Sequence, residues 1–400
     1  MIVRKLFFGF FGVAFYLCAN YMIQASSTAT VDLFVDAPFN NPITNNDLPD
    51  NQVVKKGDQE TIQVALLLDT SSSMSGLIEQ AKSQLWNILN QLARTVKNDQ
   101  ETVLEIALYE YGNPGKATKQ YQINQLTPFT TDMDLVSQKL FSLRTSGGEE
   151  YCGAMIKTAF DDLTWTAGNG LKIMYIAGNE GFGQGPVSFK TACQNAVEHD
   201  ITINTIYCGE RQEGINEQWK AGAIAGRGDY LFIEQNKATV YVPTPYDEKI
   251  KKLNSELNET YIPFGKHGKA KKENQTKQDQ NASSYSRSNA GDRAAFKSSK
   301  KYKATEWDLV DAYEKDKNVL KTAEIHADTL QGLTIDELEI KIQVVATRRA
   351  AIQEEIQGLD KKRREFKAKN RSNEKESSLQ ESVITNINKL AKEKGYEVKE

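Results

Sequence analysis

The feature that most constrains this chain is the run Val64-Ala65-Leu66-Leu67-Leu68, unbroken by a polar residue and ending on Asp69. A strand wetted on one face alternates apolar and polar residues, whereas one buried on both faces needs no alternation. The polar turn Asp69-Thr70-Ser71-Ser72-Ser73-Met74 follows, and then Leu77, Ala81, Leu85, Ile88, Leu89 and Leu92 recur at helical spacing. The pattern repeats downstream. Strands are predicted at 103–111, 121–129 (at an edge), 173–177, 201–208 and 230–233, with helices at 132–143, 152–162, 187–199 and 215–225. Such alternation predicts an α/β fold over residues 61–245, a doubly wound Rossmann-like sheet with helices on both faces. That architecture puts its ligand site at the carboxyl ends of the strands, here just after Leu68, Ala177 and Cys208 and at the turn before Cys152.

Asp69, Ser71 and Ser73 alternate along the first of these turns. Three hard oxygen atoms aimed at one point suit a divalent cation of near-octahedral preference, with waters or a ligand carboxylate completing the shell. The same residue types also cap helices, which is the alternative role for the turn.

At these residues the chain resembles the von Willebrand factor A family, whose metal-ion-dependent adhesion motif has the form D-x-S-x-S. The resemblance spans residues 62–233 and implies a Rossmann-like sheet, a Mg²⁺ or Mn²⁺ ion (Ca²⁺ as a further choice) and an acidic ligand group bound to that ion. Two motif positions depart from the family. Thr145-Ser146-Gly147-Gly148-Glu149-Glu150-Tyr151-Cys152-Gly153 has a glutamate at the expected threonine, and Ile176-Ala177-Gly178-Asn179-Glu180 has Gly178 at the expected aspartate. The motif is thus partly degenerate, and these two turns resemble those of a divergent group of exported bacterial A-domain proteins. The metal candidates are Asp69, Ser71, Ser73, Glu150 and Asn179. A carboxylate in place of a hydroxyl holds a cation more firmly and leaves less positive charge for an acidic ligand. Alternatively, Glu149 and Glu150 only complement the dipole of the next helix.

Composition excludes much. The 400 residues are 39% hydrophobic and 26% charged, too polar for a polytopic membrane protein, and fifty cations against fifty-three anions leave a net charge of −3. No global field draws the chain to nucleic acid. Three histidines and four cysteines leave little for a zinc ribbon or a disulfide scaffold. Neither G-x-S-x-G, H-E-x-x-H nor a Walker loop is present, and no catalytic residue is assigned. Gly181-Phe182-Gly183-Gln184-Gly185-Pro186 reads as a connecting loop, with an exposed Phe182 contacting ligand as the alternative.

Arg4 and Lys5 precede an apolar run from Leu6 to Cys18, so residues 1–25 read as a signal peptide, with an uncleaved anchor or a lipoprotein as alternatives. The expected location is periplasmic or secreted. Cys152, Cys193 and Cys208 either include one disulfide or are three small buried hydrophobes. Residues 26–60 read as a polar leader. Residues 246–304 read as a basic, mostly disordered linker, since 266–303 has an excess of about eight positive charges by count. Residues 305–400 read as a helical, coiled-coil-like region. Thr334 and Glu337 form a capping-box pair, and Leu338, Val345, Ile352, Leu359 and Phe366 recur every seven residues. Ile342, Arg349, Ile356 and Arg363 interleave at +4. That seam suits a hairpin with 307–320 or 379–390, or a parallel dimer.

Two functions follow. In the first, a non-enzymatic, extracytoplasmic module grips a protein or cell-envelope polymer through the metal site, with membrane contact only through an uncleaved N-terminus. In the second, an envelope assembly protein has a vestigial metal site and oligomerises through its helical tail. Hydrolysis by metal-activated water is a third and weaker reading.

Overall fold

The computed structural model describes residues 60–115, 120–168, 170–234, 241–327, 330–370 and 379–399. The expected signal and nearly all of the leader lie outside them. Among the described residues no helix is long and apolar enough to cross a membrane.

The apolar run is β1 (Thr61–Asp69), buried along nearly its whole length, and the helical pattern after it is α1 (Ser75–Ala93). After the short β2 (Thr95–Lys97) come β3 (Val103–Tyr111), the edge strand β4 (Asn124–Thr130), α2 (Met133–Ser142) and α3 (Cys152–Asp162). Then β5 (Leu171–Gly178), α4 (Phe189–Glu198), β6 (Thr202–Cys208), α5 (Arg211–Asn216), α6 (Trp219–Ala225) and β7 (Arg227–Ile233) complete the alternation. The six main strands lie in the order β4-β3-β1-β5-β6-β7, parallel except for β4. Successive β1 residues divide between two cores. Val64 and Leu68 face α1 and α2, while Ala65 and Leu67 face α3 and α4. This is the expected doubly wound sheet, with a central strand apolar on both sides because helices cover both.

The rest of the chain departs from the sequence expectation. Residues 246–304 are not a disordered linker. They fold as α7 (Asp247–Glu259), α8 (Gly268–Tyr285) and α9 (Arg287–Lys297), packed on the α/β unit. Composition misleads there because the polar side chains find partners inside. Arg293 is fully buried, 2.6 Å from Asp134 and 2.9 Å from Asp279, with its guanidinium 4.3 Å over the Trp86 ring. Lys297 is equally buried, 2.9 Å from Asp279 and 3.0 Å from Asn254. A buried charge is tolerated when paired and hydrogen-bonded, and each of these is.

The heptad seam lies on α11 (Ile335–Lys369), which begins with the expected capping box. It is spent within the chain. Leu338 and Ile342 pack against Leu309, Val310 and Tyr313 of α10 (Leu309–Lys315), while Ile352 and Ile356 pack on α7 and α9. Both seam arginines are buried in ion pairs, Arg349 at 2.6 Å from Asp308 and Asp311, and Arg363 at 2.9 Å from Asp247 and 2.8 Å from Asp292. The seam is therefore closed to a parallel dimer. The expected partner 379–390 is elsewhere: α12 (Leu379–Glu393) covers the sheet beside α1, and β8 (Tyr396–Val398) pairs with β2. The last helix of the α/β unit thus comes from the C-terminus, and the helices of 247–369 are inserted between it and β7.

Candidate metal centre

β1 carries Asp69 to the carboxyl edge of the sheet and buries it completely. The chain then turns. The Thr70 N–H donates to the Tyr111 carbonyl (2.9 Å), the Ser71 N–H donates to Asp69 Oδ1 (2.7 Å), and the Met74 N–H donates to the Ser71 carbonyl (3.1 Å). The last bond starts a short 3₁₀ turn, Ser72–Met74, that runs into α1. Ser71 Oγ and Ser73 Oγ stand 3.2 Å apart, and Ser73 Oγ donates to Asn179 Oδ1 at 3.2 Å. The turn after β1 thereby meets the turn after β5.

Glu150 arrives from the loop before α3. That loop is held by the Ser146 N–H, which donates to the Thr70 carbonyl at 2.9 Å. Glu150 is buried, within electrostatic reach of the Ser71 hydroxyl, and lies over Gly112. Gly112 has φ +74°, and a Cβ there would come 3.0 Å from both Asp69 Oδ1 and Glu150 Cγ, so only glycine admits both side chains. All five metal candidates therefore converge: Asp69, Ser71 and Ser73 from one turn, Glu150 from a second and Asn179 from a third.

The electrostatics favour a cation. Burial pushes the Asp69 carboxyl up to about 7 despite the Ser71 N–H and hydroxyl, with Glu150 and Glu180 adding repulsion. Burial likewise raises the Glu150 carboxyl against the Ser71 hydroxyl, and Glu180 again adds to it. Asp69 Oδ2 is buried with no hydrogen-bond partner among the described residues. An orphaned carboxylate oxygen beside two hydroxyls fits a hard divalent ion. Among the described residues no group of three or more His, Cys, Asp or Glu side chains is arranged to hold a metal. The donor set here is instead two carboxylates with hydroxyls and an amide oxygen.

One neighbour escaped the sequence reading. Tyr111 is fully buried and donates to the Ala177 carbonyl at 3.0 Å. Gly178 sits against that hydroxyl, which explains why no aspartate stands there. Phe182 is not an exposed ligand contact, because it is wholly buried with its ring centroid 4.9 Å from that of Trp219. The three cysteines are free and buried, with burial pushing the Cys193 thiol up to about 12.

No family model and no curated protein matches the sequence. Solved structures do show similarity. BatB, a conserved hypothetical protein from Bacteroides thetaiotaomicron, is 17% identical over 43% of this chain and 90% of its own, with a TM-score of 0.33. An aerotolerance-related membrane protein from Bacteroides fragilis is 16% identical over 44% and 93%, with a TM-score of 0.31. Proximal thread matrix protein 1 from the mussel byssus, with zinc in its MIDAS motif, is 12% identical over 45% and 43%, with a TM-score of 0.32. At these values the assignment stands on the chain's own strand order and turns. With one antiparallel edge strand, helices on both faces and Asp69-x-Ser71-x-Ser73 at the carboxyl end of its central strand, the α/β unit has the fold of a von Willebrand factor type A domain.

Proposed function

We propose that this chain is an exported, non-enzymatic binding protein that engages a protein or cell-envelope polymer through a divalent ion at the strand ends. The single observation behind this reading is Asp69 Oδ2, buried and unpartnered beside Ser71 and Ser73. Asp69, Ser71, Ser73 and Glu150 would hold the ion, with Asn179 reaching it through Ser73. A bound Mg²⁺ or Mn²⁺ supplies an electrophilic point for a ligand oxygen.

Binding rather than catalysis is supported by the surroundings. His199 bonds to the Asn195 carbonyl and His326 to the Gly265 carbonyl, while His267 precedes α8, so none flanks the turn as a base. The intramolecular seam of α11 also speaks against assembly through that helix.

The test is calorimetric titration of Mg²⁺, Mn²⁺ and Ca²⁺ into the full chain, with Asp69→Ala and Glu150→Gln beside it. Saturable binding abolished by Asp69→Ala and weakened roughly tenfold by Glu150→Gln is expected, since each removes a charged oxygen ligand. Absence of binding by the wild type would overturn the metal reading and leave the turn a plain connection between β1 and α1, whose helix starts carry no side-chain cap.

A further inference from the structure

Far from the metal turn, a buried amine meets a side-chain amide. Lys297 ends α9 and is fully buried. Its Nζ donates to Asn258 Oδ1, to Asn254 Oδ1 at 3.0 Å and to Asp279 Oδ2 at 2.9 Å. The two asparagines lie one turn apart on α7, and Asp279 comes from α8. The same Asp279 oxygen accepts from Asn258 Nδ2 at 2.8 Å and from Asn254 Nδ2 at 2.9 Å. One carboxylate oxygen thus touches both the amine and the nitrogen of a carboxamide whose oxygen the amine already holds. Leu253, Leu257, Tyr261 and Ala294 form the apolar wall, with the Tyr261 ring centroid 5.9 Å from Nζ. Lys272 is the other amine beside Asn258, but it donates to the main-chain carbonyls of Asn258 and Tyr261 and to no side-chain amide.

Amine, carboxamide and carboxylate held together are the parts of an aminolysis. Burial pulls the Lys297 amine down from its ordinary value, with Arg293 adding to that against the pull of Asp279, which brings the neutral nucleophile within reach. Burial pushes the Asp279 carboxyl up, but Lys297 and Arg293 outweigh it and keep it ionised, the form that accepts a proton. From the neutral amine, the Nζ lone pair adds to Asn258 Cγ. One Nζ proton passes through Asp279 to Nδ2, the Cγ–Nδ2 bond breaks and ammonia leaves, carrying off the surplus proton of the original ammonium. No oxidant or co-reactant enters. Fixed juxtaposition is worth an effective concentration of about 10⁵–10⁸ M in well-oriented cases, and the reaction need happen only once per molecule. The amine also sits where bulk water does not compete.

We propose that the folded chain joins Lys297 to Asn258 by an intramolecular isopeptide bond, with Asp279 as the proton carrier and release of ammonia. The bond staples α9 to α7 and closes residues 258–297 into a covalent loop, in a chain whose three described cysteines are free. The contacts above belong to the unlinked chain. Once linked, Asp279 keeps Arg293, at 2.9 Å, as its ion pair. The proposal is independent of the metal reading.

The experiment is a tryptic map of the full chain, incubated folded at neutral pH and read by tandem mass spectrometry. The expected species is a branched peptide, residues 253–266 joined to residues 294–300, lighter than its two arms together by one ammonia. Fragmentation should place the link on Asn258 and Lys297, and trypsin should no longer cut after Lys297. Lys297→Arg and Asn258→Ala should each give separate arms, while Asn254→Ala should keep the link. Asp279→Asn should slow its appearance by about a hundredfold or more, the usual worth of a positioned proton carrier. The wild-type map decides without any variant, so a variant that fails to fold takes nothing from the test. Separate arms from the folded wild type overturn the proposal, as does a link placed on Asn254, and either result leaves the metal reading untouched.

Discussion

The Tyr111 hydroxyl occupies the space that a side chain at Gly178 would enter: a Cβ there would lie 2.7 Å from it and 3.1 Å from Asp69 Oδ2. The departure from the expected aspartate is thus a packing decision made by a tyrosine two strands away. It leaves Asn179, one residue later, to meet Ser73.

Gly178→Ala should therefore destabilise the chain by about 1–3 kcal/mol, the usual range for overpacking a close-packed site. Tyr111→Phe removes the nearer obstacle, so the double variant should recover part of that loss. Urea midpoints of the four proteins form the cycle, and strict additivity of the two changes would refute the contact.

The buried carboxylates set an acid limit. Burial pushes Asp279 up, but Lys297 and Arg293 outweigh it and hold the carboxyl well below the usual range. Asp292 is lowered in the same way by Arg363 and Lys367. A carboxylate lowered on folding adds stability that is complete above its unfolded value of about 3.9 and is lost as pH falls through the folded value. Stability from these groups should be level at neutral pH and fall below about pH 4. Asp279→Ala should cost about 3–5 kcal/mol at neutral pH, because it leaves Arg293 and Lys297 buried short of a partner. Denaturant midpoints across a pH series check both statements.

The C-terminal helix should prove part of the α/β unit. Val383, Ile387 and Leu390 are buried in the core beneath the sheet. Asn386 accepts from the Tyr175 hydroxyl at 2.5 Å and donates to Asp229 at 2.8 Å. Ile387→Ala should cost about 2–5 kcal/mol. A chain ending at residue 370 should aggregate or bind a hydrophobic dye, since the strip under α12 is then open to water. A soluble, cooperatively folding truncation would contradict this placement.

Much of the α/β unit was legible because its strands are continuous apolar runs and its helices are periodic, both local signals. The Asp69 turn was legible for the same reason, since Ser71 and Ser73 lie within a few residues of the strand that aims them. The capping box at Thr334 was equally local.

What the amino-acid order determined alone, then, was the main strands and helices of the α/β unit, the capped start of α11 and the turn that ends β1. Only the tertiary structure decided that the polar stretch 246–304 is packed helix, because Arg293 and Lys297 are stabilised by Asp134 and Asp279, and Asp134 lies far away in sequence. It also decided that α12 belongs to the sheet rather than to the α11 seam. Either apolar surface suits an amphipathic helix, and the choice is made by which one offers Asn386 its partners at Tyr175, Asn204 and Asp229. The exclusion of a side chain at 178 came the same way, from the hydroxyl that β3 places beside the end of β5.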